Sequence, residues 1–285
     1  LGYSTGKAYI FIGVSQAVGY MMPLVGGHMA DRVIGLTRSI LIGTLLVACA
    51  YLLVMLSGFL VPSLGDKVFI AAYALIPAMN SLLMGTTSAV VSRVYSTDEA
   101  KAKSGMTLYY MAINVGSLLA TILAPQLLDS RYGPLSIFAV VFIGKSLCAL
   151  NFIYRYRIYD DVASPIDNAK FSLKKIIQLI SYLVGIYSMT LYMYFHPEIS
   201  SYLIGFGASL GILFFFFKTS KLNGSDRSKQ LIAVFLILEA IVFFVLYNQM
   251  NTTMVIFAKT NSNLAMLGFT VSPAHYQMLN PIMII

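Results

Sequence analysis

Residues 26 to 38 read G-G-H-M-A-D-R-V-I-G-L-T-R. Three glycines stand there beside Asp31, Arg32 and Arg38, and long apolar runs flank the stretch on both sides. The surroundings explain why charge there matters. Of 285 residues, 58% are hydrophobic and only 11% charged, against about 25% charged in an ordinary soluble domain. Mean hydropathy is +0.80. A soluble core of this size could not hide so much apolar side chain, so the solvent for most of the chain is lipid, where a spanning helix takes about 20 apolar residues.

Apolar runs between polar breaks give segments near 8–30, 38–60, 68–93, 106–128, 134–154, 172–194, 199–217 and 230–257. A ninth begins near 272, and as helix it would rise only about 21 Å before the sequence stops, short of the ~30 Å hydrocarbon layer. With Leu1 rather than Met at the start, the expectation is an incomplete chain. No charged n-region with a short apolar core precedes the first run, so the spans are expected to carry the targeting information themselves.

Basic residues near span ends stay on the cytoplasmic side. One side of the eight segments holds Arg32, Arg38, Arg93, Lys101, Lys103, Arg155, Arg157, Lys170, Lys174, Lys175, Lys218, Lys221, Arg227 and Lys229. The other holds only Lys7, Lys67, Arg131 and Lys259. This split fixes the orientation and supports the segment count, because one miscounted span would scramble it. Residues 26–38 then read as a short cytoplasmic turn in which Gly26 and Gly27 let backbones approach. Its charges are either a basic topology anchor with a solvated Asp31, or a latch made in one conformation and broken in another.

Two ionisable residues lie inside spans, Lys145 and Glu239. Each costs about 2.5–3.5 kcal/mol at a helix centre, which calls for a partner or a wet cavity. Neutral polar groups cluster in three helices: Tyr109, Tyr110 and Asn114; Asn248, Gln249 and Asn251; Gln277 and Asn280. Tyr110 and Asn114 share a helix face. Such groups either hydrogen-bond between helices or line a substrate cavity, and three groups in separate helices favour the cavity. Pro23, Pro77 and Pro125 would kink their spans. Cys49 and Cys148 fall in apolar runs, where Cys behaves as a small hydrophobe. His28, His196 and His275 are scattered, and neither H-E-x-x-H nor G-x-S-x-G occurs, so no metal, cofactor or enzyme is read. The net charge of +8 includes no long basic stretch interleaved with aromatics, which argues against nucleic acid.

Together these stretches resemble the proton-dependent oligopeptide transporters of the major facilitator superfamily. Residues 26–38 look like the superfamily's loop between its second and third helices, and Y-Y-M-A-I-N-V-G-S-L-L-A (109–120) resembles the more specific peptide-transporter motif of the fifth. L-E-A-I-V-F-F-V-L-Y-N-Q-M (238–250) and S-P-A-H-Y-Q-M-L-N-P-I (272–282) are similar to the seventh and eighth helices of bacterial dipeptide and tripeptide permeases.

The resemblance implies an all-α, polytopic major facilitator bundle in the cell inner membrane, running from the second helix to the start of the eighth. It divides as an N-terminal bundle (1–160), an inserted two-helix hairpin with cytoplasmic linkers (161–229) and the start of a C-terminal bundle (230–285). The implied activity is proton-coupled transport of di- and tripeptides by alternating access, with small peptides, protons and the lipid bilayer as partners. Tyr20, Tyr110, Asn114, Asn248, Gln249 and Asn280 would bind substrate, and Glu239, Asp31, Arg32 and Arg38 would serve coupling and gating. The chain departs from the family in starting after the first-helix E-x-x-E-R motif, in carrying Met84 where the family places a lysine, and in having Asn248 where many members have Glu. A divergent or uncoupled carrier of another solute and a non-transporting fragment are the competing readings.

The charge split makes a direct prediction: 155–172 and 218–229 are cytoplasmic and 194–199 periplasmic. A Cys placed at Ser200 should react with an impermeant thiol reagent from the periplasmic side, and reaction from the cytoplasmic side alone would invert the topology.

Overall fold

The structure, a computed structural model, describes residues 4–96, 98–250, 252–266, 269–270 and 272–285. Its helices are α1 (Thr5–Met29), α2 (Leu36–Leu64), α3 (Asp66–Tyr73), α4 (Leu75–Asn80), α5 (Thr86–Val94), α6 (Glu99–Leu128) and α7 (Pro134–Tyr154). There follow the short α8 (Pro165–Asn168), then α9 (Leu173–Phe195), α10 (Pro197–Ser220), α11 (Gly224–Gln249), α12 (Thr253–Asn261) and α13 (Leu279–Ile284). Two two-residue strands, β1 (Ala265–Met266) and β2 (Phe269–Thr270), pair antiparallel and are the one exception to the all-α reading among the described residues.

Seven stretches of the described residues are long and apolar enough to cross a membrane, one fewer than the sequence suggested. The difference lies in the segment at 68–93. Pro77 has no N–H to give and its ring crowds the carbonyl of Tyr73, and α3 ends at Tyr73. A second break follows at Gly85, whose φ of 92° suits glycine. The freed carbonyls find side chains: Ser81 Oγ donates to Ala78 O at 2.6 Å, and Thr86 Oγ1 to Leu82 O and Leu83 O at 3.0 and 2.8 Å. All three pieces pack along α2, with Leu83 and Val90 against Leu36 and Ile40 at its start. The broken segment therefore runs back along α2, and the sequence's alternation of sides survives.

The stretch 26–38 also differs from its reading as a turn. α1 continues to Met29 and then through a π-helical turn, Ala30–Ile34, so that Asp31 and Arg32 stand on a helix end. The reversal is made at Gly35, with φ of 99°, and α2 begins at the next residue. Only one of the paired glycines makes a close approach. A Cβ on Gly26 would run into the backbone carbonyl of Ser81, whereas a Cβ on Gly27 would meet nothing within 4 Å.

α9 is bolted to the first helices by tyrosine hydroxyls. Tyr194 bonds Ser15 at 3.0 Å, Tyr182 bonds Ser81 at 2.7 Å, and Tyr187 donates to Ala71 O at 3.2 Å. Around them Val14, Val18 and Met22 of α1 pack with Ile70, Ala74 and Ala78, and with Ile186, Met193 and Tyr194 of α9. Ser200 of α10 is fully buried, so the thiol of the topology experiment belongs at Glu198, which is exposed in the same turn.

The start of α2 is held from far away in the sequence. Asp167 of α8 is buried and accepts from the backbone N–H of Leu36 and of Arg38, both at 3.2 Å. It also accepts from Ser164 N at 2.8 Å and Ser164 Oγ at 2.7 Å, and from the Thr37 hydroxyl. Burial alone would raise this carboxyl, but the hydrogen bonds from Thr37, Ser164 and Arg38 outweigh it and hold it below the usual carboxylate range.

Two expectations follow from this packing. Gly26→Ala should cost about 1–3 kcal/mol through overpacking, while Gly27→Ala should be neutral or stabilising by up to about 1 kcal/mol through helix propensity; thermal unfolding of both variants in one detergent compares them. Because the folded carboxyl of Asp167 lies below its unfolded value of about 3.9, its contribution is fully present above that value and is lost only as pH falls through the lower folded one. Amide exchange at Leu36 and Arg38, corrected for intrinsic rates, should therefore be flat from about pH 8 to about pH 5 and rise only below about pH 4.

Candidate functional site

The first span carries polar residues on one stripe. Tyr9, Gly13, Gln16 and Tyr20 recur at helical spacing along α1, and this stripe faces α11 and α12. Between them lies a cavity of about 550 Å³ lined by Tyr9, Ile12, Gly13, Gln16, Asn248, Gln249, Thr252 and Thr253. One turn further along each helix, the rings of Tyr20 and Phe244 stand 6.4 Å apart, closing that end of the contact.

The polar atoms of the α11–α12 wall are partly committed. Asn248 Nδ2 donates to Phe244 O at 2.9 Å and Thr253 Oγ1 to Gln249 Oε1 at 2.5 Å. Asn248 Oδ1 and Gln249 Nε2 make no hydrogen bond among the described residues, so the wall offers one acceptor and one donor side by side. No lining side chain is charged. Such a surface can pair with the C=O and N–H of an amide backbone, and it has no group suited to attack or to hold a metal.

The other sequence-selected residues fall nearby or elsewhere. Asn280 on α13 donates to Tyr247 Oη at 3.1 Å, which ties α13 to α11 beside the cavity. Asn114 on α6 is buried and its Nδ2 donates to Tyr110 O at 2.9 Å within its own helix, with Tyr110 itself exposed. Neither Asn114 nor Asn280 lines the cavity between α1 and α11. Tyr109 joins α6 to α5 through Thr87 Oγ1 at 2.7 Å. His275 accepts from Ser272 N at 3.2 Å and lies 3.4 Å from Ile122 O, which seats the last segment against α6. Asn251 lies outside the described residues. Gln277 lines a separate, mostly apolar cavity of about 280 Å³ with Met250, Met254 and Tyr276.

Glu239 is exposed on α11 and Lys145 half-buried on α7, and neither makes an ion pair among the described residues. Met84 is 41% exposed in the turn between α4 and α5. Asp31 and Arg32 are exposed on the π-helical turn without an ion pair among the described residues. Arg38 is engaged: its Nη1 donates to Ala169 O at 2.8 Å and Ile166 O at 3.5 Å, and its guanidinium stands 5.7 Å over the Phe171 ring.

Sequence reading missed Tyr9, Gln16, Thr252, Thr253 and Asp167. The signal for Gln16 was present, a lone uncharged amide in an apolar span one turn from Tyr20. Asp167 was legible only locally, as the S-P-I-D capping-box spacing of α8; its main partners lie 131 and 129 residues away.

Comparison with known proteins places this architecture. Dipeptide and tripeptide permease A of Cronobacter turicensis is 32% identical over 282 residues, covering 99% of this chain and 55% of the permease. The permease A of Escherichia coli is 30% identical over 286 residues, covering all of this chain and 56% of that one. In three dimensions the chain is similar to the crystal structure of tetrameric PepTSo2, with a TM-score of 0.86 at 25% identity over 99% of this chain and 61% of that one. The chain thus spans little more than half the length of the curated relatives it matches. These relatives and the apolar helices make it a multi-pass protein of the inner membrane with a major facilitator bundle, and not an enzyme. The sequence model of the POT family matches residues 37–285, and the chain belongs to that family.

Proposed function

We propose that this protein carries di- and tripeptides across the inner membrane by alternating access, driven by protons. The observation that supports it most is the uncharged cavity where α1 meets α11 and α12, with Asn248 Oδ1 and Gln249 Nε2 unengaged by the described residues. A free acceptor beside a free donor matches the alternation of N–H and C=O along a peptide, and it reads backbone without reading side chains. The cavity's size lies within the range of small-molecule sites, about 300–1,000 Å³. Relatives in the family are named dipeptide and tripeptide permeases.

Within this reading Tyr20, Asn248 and Gln249 form the wall that meets substrate, Asn280 sets that wall through Tyr247, and Tyr110 and Asn114 on α6 contribute a second surface. Residues 1–160 act as the first bundle, 161–229 as the inserted hairpin with its linkers, and 230–285 as the start of the second bundle. Cavity formation between α1 and α11 is what a rocking of the two bundles needs, since opening and closing that contact alternates access. Asp31, Arg32 and Arg38 belong to the gate and Glu239 to proton movement. Met84 favours a variation on the theme. A thioether neither carries charge nor exchanges a proton, so coupling that other members route through a lysine here runs through another group or is weak.

Uptake of labelled dipeptide by the protein at its full natural length in proteoliposomes, with and without a proton gradient, tests the reading. Gradient-driven uptake is expected. Gln249→Leu, Asn114→Ala and Asn280→Ala should each weaken peptide binding by about 1–3 kcal/mol, roughly five- to a hundredfold. Glu239→Gln should flatten the pH dependence of uptake and Met84→Lys should steepen it. Absence of dipeptide uptake at any gradient would remove peptides as the substrate, and uptake whose pH profile ignores Glu239→Gln would remove Glu239 from the proton path.

A further inference from the structure

We propose that Asp167 is the positioning residue of the gate, a clip that holds the turn carrying Asp31 and Arg32 in register; this rests on the transporter reading above. No motif marks Asp167 for such a part. Its place comes from geometry alone.

Both carboxylate oxygens are occupied. Oδ1 takes the Arg38 N–H at 3.2 Å, while Oδ2 takes the N–H groups of Leu36 at 3.2 Å and Ser164 at 2.8 Å and the Ser164 hydroxyl at 2.7 Å. The Thr37 hydroxyl adds a further donor. The carboxylate thus supplies the partner that the first N–H groups of α2 lack within their own helix. Gly35 is the joint beside it, and a Cβ there would run into the Asp167 carboxylate. Arg38 closes the clip from the other side by donating to Ala169 O and Ile166 O. The segment 164–169 and the segment 35–38 are therefore joined by four hydrogen bonds, from Leu36 N, Arg38 N and twice from Arg38 Nη1, with the Thr37 hydroxyl as a fifth donor.

The consequence concerns the residues that the clip does not touch. Asp31 and Arg32 sit on the π-helical turn between two fixed points. On one side Gly26 is pressed on the Ser81 carbonyl, itself bonded through its side chain to Tyr182 of α9. On the other side Gly35 is pinned by Asp167. Glycine is the residue with most freedom to lose, so a joint at Gly35 without its clip would leave the turn held only by the packing of Ala30 and Ile34, and loosen its register. The two charges would then meet a gating partner in only a fraction of closures. The linker in the clip leads directly into α9, which shares its core with α1, so clip and turn move as one body. The clip therefore biases no state over another and acts on the rate of productive closure, leaving peptide affinity alone.

The experiment has two readouts on the protein at its full natural length. Hydrogen exchange over residues 35–40 reports the clip itself, and steady-state dipeptide uptake reports its effect. Asp167→Asn should speed exchange there and lower the maximal uptake rate at least tenfold with KM changed less than about twofold. Thr37→Val and Ser164→Ala, which each remove one donor and keep the charge, should lower the rate by about two- to tenfold. They also preserve the test if the Asn variant fails to fold. Asp98→Asn takes the charge from the cap of α6, where Asp98 Oδ1 accepts from Lys101 N at 3.0 Å, and should alter neither readout. Unchanged exchange in Asp167→Asn overturns the clip; faster exchange with a normal rate, or an equal loss in Asp98→Asn, overturns the positioning role. Should the unmodified protein take up no peptide, the transport reading fails by itself. The labelling rate of a Cys at Arg32 then decides the inference: a change with Asp167→Asn supports positioning, and an identical rate overturns it.

Discussion

A bilayer offers no water to a stray N–H or C=O, and this constraint organises the whole chain. Long uninterrupted helices satisfy it without help. α2 runs 29 residues, about 44 Å, and the N–H that its Pro62 lacks falls only in the last turn before Gly65. At several breaks a side chain stands in. Ser81 and Thr86 take up carbonyls ahead of the break at Gly85, and Asp167 takes up the N–H groups at the start of α2. Tyrosine hydroxyls of α9 find Ser15, Ser81 and the carbonyl of Ala71 in neighbouring helices. The breaks at Gly85 and Gly35 thus lie where a hydroxyl or a carboxylate reaches them.

The same rule sorts what the sequence could reveal. Composition and span length are properties of residues taken one by one, and they carried the membrane class and seven of the eight expected spans. The motifs at 26–38 and 109–120 carried the family. Close packing is a property of pairs, and there the sequence is silent. Gly26 and Gly27 look alike in print, yet only Gly26 faces the Ser81 carbonyl. Asp167 sits in a polar linker and reads as solvated, because the helix start that it caps is 131 residues away. Likewise the reading of 68–93 as one span followed hydropathy and allowed Pro77 a kink, whereas the helix is broken there outright.

For the site, legibility followed polarity. Asn248 and Gln249 stand out from an apolar run and do line the cavity between α1 and α11. Asn114 stands out equally and makes the same bond to its own helix, to Tyr110 O where Asn248 bonds Phe244 O, yet it does not line that cavity. Sequence cannot separate these cases, because what decides is the helix that stands opposite. Gln16 shows the converse. Its neighbours Tyr9 and Tyr20 are common in membrane helices, so the stripe gained meaning only when α11 was seen opposite it.

The distribution of charge ties these observations to mechanism. The cavity wall is neutral, whereas the charges with structural work, Arg38 and Asp167 in the clip, lie at helix ends, and Asp31 and Arg32 stand on the turn beside them. Charge at mid-membrane is costly without a partner or a wet cavity, and a wall that opened and closed on an ion pair would have to break and remake it at a cost of several kcal/mol. Neutral amides avoid that cost, because they exchange partners among peptide, water and backbone with small net change. Ionic contacts at the ends are made and broken in water, where their energies are modest enough to be reversed on each cycle. The separation of a neutral, adaptable centre from charged, rigidly held ends is thus what the membrane demands of any helix bundle that must move. The clip at Asp167 is the point where the demand for rigidity at the ends is met.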